Sequence, residues 1–154
     1  MRIAVWLIAL CCFASSASGQ KNSFQDPCSS HIQSTWTEEL RKAAQADCNF
    51  SEEARKSGAA AWANFAAEDA AMSGLSGREQ IRARFEAVYA SPGFRLFWYP
   101  TGGEVYGSFV LTTGAYERHA LDAAGKETVS HGRYVTMWQK QKDGKYLYVW
   151  DGGE

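Results

Sequence analysis

At Pro92-Gly93 the spacing of apolar residues changes from about 3.6 to about 2, dividing the chain into a helical half and a stranded half. Before that point Trp36, Leu40, Ala43, Ala44, Asp47 and Cys48 share one helical stripe, and Glu38 and Glu39 occupy the first turn, where the helix dipole favours acids. Gly58 breaks this helix, and Ala59 to Ala71 reads as a second one with Trp62, Phe65, Ala66 and Asp69 on its stripe. Ser76-x-x-Glu79 reads as a capping box opening a third helix, whose apolar face is Ile81, Phe85, Val88 and Tyr89. Beyond Pro92-Gly93 the strand candidates are Phe94–Tyr99, Glu104–Tyr106, Phe109–Leu121, Thr128–Gln141 and Lys145–Asp151. Glycines 102, 103, 107 and 114 are assigned to hairpin turns. Three N-terminal helices followed by an antiparallel meander predict an α+β fold, with the helices packed on one face of a curved antiparallel sheet.

A chain of 154 residues has room for one such domain, expected over 35–154. Residues 1–19 read as a signal peptide, with Arg2, an apolar run from Ile3 to Ala14, and small residues at Ala17 and Gly19. The run is shorter than the roughly 20 residues that span a bilayer, so the expectation is an exported protein, periplasmic or secreted, cleaved near Gly19 and not held in the membrane. Residues 20–34 read as a flexible arm. Cleavage would leave two of the four cysteines, Cys28 and Cys48, which could pair in an oxidising compartment or remain as inert thiols. Sixteen basic against 17 acidic side chains offer no electrostatic footprint for nucleic acid.

The last hairpin permits geometry. With Asp143-Gly144 as a two-residue turn, Trp138 faces Val149 and Thr136 faces Asp151, with Tyr134 one diagonal step away on the same sheet face. His131, Arg133, Val135 and Met137 then share the other face with Tyr148 and Trp150. Both faces are apolar enough to expect cover, one by the helices and the other by a second subunit.

The segments Ala46-Asp47-x-x-Phe50, Gly58-x-x-x-Trp62-x-x-Phe65-Ala66-x-x-Asp69-Ala70 and Gly77-Arg78-Glu79-Gln80-Ile81 resemble helices of the nuclear transport factor 2-like superfamily. Gly132 to Lys140, Asp143-Gly144-Lys145 and Val149-Trp150-Asp151-Gly152-Gly153 resemble the final hairpin of its SnoaL-like, ketosteroid-isomerase-like members. The resemblance implies a cone-shaped fold with a pocket between helices and sheet, and a homodimer through the outer sheet face. It leaves catalysis open, because the superfamily holds isomerases, cyclases and dehydratases beside pure binding modules. The isomerases place their general-base aspartate between the second and third helices, and the corresponding stretch, Ala71 to Ser76, holds no carboxylate.

Three residues are candidates for proton transfer. Asp47 lies on an apolar stripe, where a carboxylate is costly unless paired or useful. Asp151 and Tyr134 converge on one face of the hairpin and could polarise a carbonyl. Against these stand a buried structural pairing for Asp47 and a strand-end cap for Asp151. His131 falls on the opposite face, away from Asp151. Trp62, Tyr89, Trp98, Thr136 and Trp138 are the candidate ligand contacts, suited to a small apolar or aromatic molecule. No phosphate loop, dinucleotide fingerprint, zinc spacing or nucleophile elbow occurs, so no cofactor or metal is expected. The expected function is small-molecule binding, with cofactor-independent isomerase, cyclase or dehydratase chemistry, or dimerisation alone, as alternatives.

Overall fold

A computed structural model describes Phe24 and residues 26–154, so the expected signal peptide and its cleavage point lie outside the described residues. Thr37 caps the first helix, its hydroxyl accepting from the Leu40 amide at 3.3 Å, and helix α1 spans Glu38–Ser57. Gly58, at φ 56°, turns the chain into helix α2, Ala59–Asn64.

The second helix is shorter than the stripe suggested. Ala66–Met72 is strand β1, not a continuation of α2. Alanine is a strong helix former, but local propensity yields to tertiary context, and a partner strand overrides it here. Arg78 also grips the bend, donating to the Ala66 carbonyl from Nε and Nη2 at 3.2 and 2.7 Å. Ser73 and Gly74, both at positive φ, return the chain to strand β2, Leu75–Ser76. Helix α3 follows over Arg78–Tyr89.

The capping box does not form. Ser76 is held in β2 opposite Ala71, so Gly77 occupies the cap position, and the Ser76 amide reaches Gln80 Oε1 at 3.5 Å instead. Because β1 and β2 precede α3, the helices are not gathered ahead of the strands.

Strands β3 (Arg95–Tyr106), β4 (Phe109–Leu121), β5 (Glu127–Lys140) and β6 (Tyr146–Gly153) complete a curved mixed sheet of six strands in the order β2-β1-β6-β5-β4-β3. All neighbours run antiparallel except β1 and β6, which run parallel and so make the sheet mixed, not purely antiparallel. The two expected strands before Tyr106 are one, bent by a bulge between Pro100 and Gly102.

The final hairpin departs twice from its expected register. Gln141 and Lys145 close it through a main-chain bond at 2.7 Å, leaving a three-residue loop with Gly144 at φ 85°. An irregularity at Val149 then restores the count, so Thr136 opposes Asp151 while Trp138 opposes Tyr148. Tyr148 consequently shares the buried face with Trp138, and Trp150 opposes Met137 on the other face, 42% exposed.

The core lies on the inner face of the sheet under α1 and α2. Phe50 sits at its centre, within 6.4 Å ring to ring of Trp62, Phe65, Trp98, Trp138 and Tyr148. Cys28 and Cys48 are joined in a disulfide that fastens the N-terminal segment to α1. His31 stacks on Tyr99 at 3.7 Å, so the described part of that segment is laid against β3.

Candidate functional site

Helix α1 crosses the inner face of the sheet and presents Asp47, fully buried, to three strands. Its carboxylate accepts from Trp98 Nε1 at 2.9 Å, Thr112 Oγ1 at 2.8 Å and Tyr134 Oη at 2.8 Å. Trp138 Nε1, a donor only, fixes the direction of the chain by donating to Thr112 Oγ1 at 2.9 Å, which leaves the Thr112 hydrogen for Asp47. Every partner of Asp47 is therefore a donor, the arrangement an ionised carboxylate requires.

Two glycines make room for a pair of tyrosines, and Gly114 is the one that lets Tyr134 lie where it reaches Asp47. Gly114 on β4 lies opposite Tyr134 on β5, and Tyr116 lies opposite Gly132. A Cβ at Gly114 would fall 2.2 Å from the Tyr134 ring, and one at Gly132 would fall 2.4 Å from the Tyr116 ring. Each tyrosine thus lies flat across the glycine of the neighbouring strand. Gly114 is in mid-strand and not in a turn, and so are Gly102 and Gly103; of the four glycines assigned to turns only Gly107 is in one.

Beside this network opens a cavity of about 960 Å³, between α3, the inner face of the sheet, and the segments after β1, α3 and β4. Phe50, Trp62, Phe85, Leu96, Trp98 and Tyr116 line it with apolar surface, and Trp62 and Phe85 are stacked at 3.5 Å. Tyr134 and Asp151 supply polar groups to its wall, while Arg84, Arg118 and Asp122 are its charged lining residues besides Asp151. Asp151 is held by Thr136, whose hydroxyl donates to Oδ2 at 2.5 Å.

Burial pushes the Asp47 carboxyl up to about 6 against the pull of its three hydrogen bonds. Burial likewise pushes Asp151 up to about 7, opposed by the Thr136 bond and reinforced by the charge of Asp47. Burial, then the Asp47 charge, raises the Tyr134 hydroxyl well above its ordinary value, so it stays protonated. Asp151 is thus a cavity carboxyl able to give or take a proton near neutrality.

Both carboxyl shifts act on stability with one sign. An acid whose folded pKa lies above its unfolded value near 3.8 contributes stability that is complete below about pH 4 and is lost as pH rises through about 6 and about 7. His119, raised by bonds to Glu117 and Glu127, adds to the same trend. The melting temperature should therefore rise on acidification from about pH 7.5 to about pH 5, and less steeply in Asp151→Asn. Parallel slopes for wild type and variant in thermal melts would show that Asp151 does not titrate in this range.

Of the three residues considered for proton transfer, Tyr134 and Asp151 meet at the cavity and Asp47 does not; it stands behind Tyr134 and Trp98. Trp62 and Trp98 line the cavity as ligand contacts would. Trp138, Thr136 and Tyr89 do not line it. Trp138 and Thr136 are buried in the sheet, and Tyr89 accepts from Trp62 Nε1 at 3.4 Å. The strand between α2 and α3 does carry carboxylates, because it is Ala66–Met72, but Glu68 and Asp69 are exposed and outside the cavity lining. His131 is on the outer face, 3.0 Å from Glu117. Arg84 and Arg118 were not singled out from the sequence, whereas Phe85, on the apolar face of α3, was among the aromatics expected to line a pocket. The two Gly-x-Tyr triplets, Gly114-Ala115-Tyr116 and Gly132-Arg133-Tyr134, were the available signal for the tyrosine pair. Among the described residues no group of side chains is arranged to hold a metal ion.

The architecture is found in solved structures. A ketosteroid isomerase-like protein from Erwinia carotovora atroseptica is similar with a TM-score of 0.66 at 14% identity, over 77% of this chain and 96% of that one. Aln2 from a Streptomyces species is similar at 0.63 and 16% identity, over 77% and 92%. A nuclear transport factor 2-like superfamily protein from Salmonella enterica is similar at 0.61 and 13% identity, over 75% and 89%. The chain has the nuclear transport factor 2-like fold, as its resemblance in sequence implied. No family model matches it, and no curated protein does.

Proposed function

We propose that this protein binds a small apolar or aromatic molecule in the cavity between α3 and the sheet, and that it does so as an exported protein cleaved near Gly19. The observation that carries the binding reading is the cavity itself, about 960 Å³ with aromatic walls, and with Tyr134 and Asp151 among the polar groups that could fix a ligand. A ligand matched to that space stabilises the fold by RT ln(1 + [L]/Kd), about 2.7 kcal/mol at a hundredfold excess over Kd. Trp62 and Trp98 in the walls give a second readout, since a bound aromatic molecule alters their emission. A broad screen that moves neither the melting temperature nor the tryptophan emission would remove this reading.

Catalysis is the second reading, and Asp151 is the residue that favours it. A cavity carboxyl titrating at about 7 beside a protonated tyrosine suits proton transfer at a carbonyl or enol. In that reading Asp151 moves the proton, and Tyr134, whose hydrogen goes to Asp47, presents its oxygen as an acceptor to an enol or hydroxyl of the substrate. Asp151→Asn would then abolish turnover while leaving affinity nearly unchanged. Equal turnover in the variant would exclude it.

The expected homodimer would use the outer face, where exposed Trp150 and its partner Met137 neighbour Leu111 and Val135. A monomer mass in sedimentation at micromolar concentration would remove that contact.

A further inference from the structure

Several cations of this protein are tied into ion pairs away from the cavity. On the outer face Arg95 pairs with Glu127, and His119 sits between Glu117 and Glu127 at 2.9 and 2.8 Å. On α3 the exposed Arg82 pairs with Glu86 at 3.0 Å. Among the described residues, the two arginines that line the cavity have no such partner. Arg118 stands on β4 opposite Leu96 on one side and Ser130 on the other, with no acid across either ladder. Arg84, two residues from Arg82 on the same helix, also makes no ion pair among the described residues. The one acid lining the cavity near them, Asp122, is occupied locally, its Oδ1 accepting from the Ala124 and Lys126 amides at 2.8 and 2.9 Å.

Two unpaired guanidinium groups at an aromatic cavity suit a molecule with one charged end. An arginine fork recognises a carboxylate or sulfonate by paired hydrogen bonds, and the exposed position of both residues allows a charge to be neutralised without leaving water. The apolar lining sets the orientation. An anion pushed inward would lose its water against aromatic walls, so the charged end is kept outward and the apolar body goes in.

We infer that the ligand of this cavity is an aromatic organic acid, its ring system between Trp62, Phe85 and Trp98 and its anionic group held by Arg84 and Arg118. The inference rests on the ligand-binding reading and narrows it to one chemical class.

Two fluorescent probes share one ring system and differ by one charge, anilinonaphthalene sulfonate and the neutral phenylnaphthylamine. The sulfonate should bind the full chain about fivefold more tightly at low ionic strength, and the advantage should fade as salt approaches about 0.5 M. Arg84→Gln with Arg118→Gln should erase the advantage while leaving the neutral probe unchanged. Leu96→Trp, which fills the cavity, should weaken both probes together and so place both signals inside it. Equal affinities in the wild type, or a sulfonate preference that survives the double arginine variant, would overturn the assignment of an acid and leave the cavity as a binding site. If neither probe binds, or if both ignore Leu96→Trp, the ligand-binding reading falls and this inference falls with it.

Discussion

Asp47→Ala is expected to lower the unfolding free energy by roughly 3 kcal/mol, within a range of about 2–5, in urea titrations at neutral pH. The loss comes from the donors left behind. Trp98 Nε1, Thr112 Oγ1 and Tyr134 Oη all point at the vacated carboxylate from buried side chains, and each would lose its acceptor there. The relief of no longer burying a charge works in the opposite direction and keeps the figure below the sum of three lost bonds. The pH dependence separates the two effects. Because Asp47 holds its proton up to about 6, the wild type gains stability from this group as pH falls from about 7 towards 4, and the alanine variant does not. The gap between them should therefore widen on acidification. Asp47→Asn keeps the volume but must turn its amide nitrogen towards at least one fixed donor, so an intermediate cost is expected. A loss below about 1 kcal/mol for alanine would mean the network contributes little to the fold.

Gly114→Ala is expected to cost about 2–4 kcal/mol, an unusual amount for one methyl group in a strand. The new Cβ would lie 2.2–2.4 Å from Cε1, Cζ and Oη of Tyr134. The ring cannot swing away and keep its bond to Asp47, so the substitution sacrifices that bond and displaces the polar wall of the cavity. A double-mutant cycle isolates the cause. With Tyr134→Ala already present, Gly114→Ala should cost little, a coupling of at least about 1 kcal/mol. Additive losses would show that the glycine serves the backbone and not the tyrosine. The same cycle with a ligand bound would report whether the displaced ring disturbs the cavity.

Much of this was legible from residue patterns because it depended on local spacing. The stripe that carries Asp47 on α1, the apolar face of α3 and the pairing of Thr136 with Asp151 all involve neighbours on a helix or across one hairpin. Strand β1 was not, because Ala66–Met72 is an alanine-rich segment whose strand character comes from β6, some 80 residues later in the chain. The hairpin is instructive in a different way. A longer loop and an irregularity at Val149 cancel beyond Met137, so Asp151 faces as expected while Tyr148 changes sides. Selecting candidate contacts by aromatic character picked Trp62 and Trp98, which line the cavity, but also gathered Trp138, which belongs to the core. The cavity's arginines went unseen because an unpaired charge is only recognisable once its neighbours in space are known.

The parallel contact between β1 and β6 joins an early segment of the chain to its last strand. During synthesis β1 has nothing to pair with except the two-residue β2 until residues 146–153 leave the ribosome. Closing so long a loop must be offset in entropy before the contact yields anything, which makes docking of β6 a late and slow event. Deleting Tyr146–Gly153 would leave β1 and β2 without their strand neighbour in the sheet and expose the edge of β5, turning a folded domain into an aggregation-prone one.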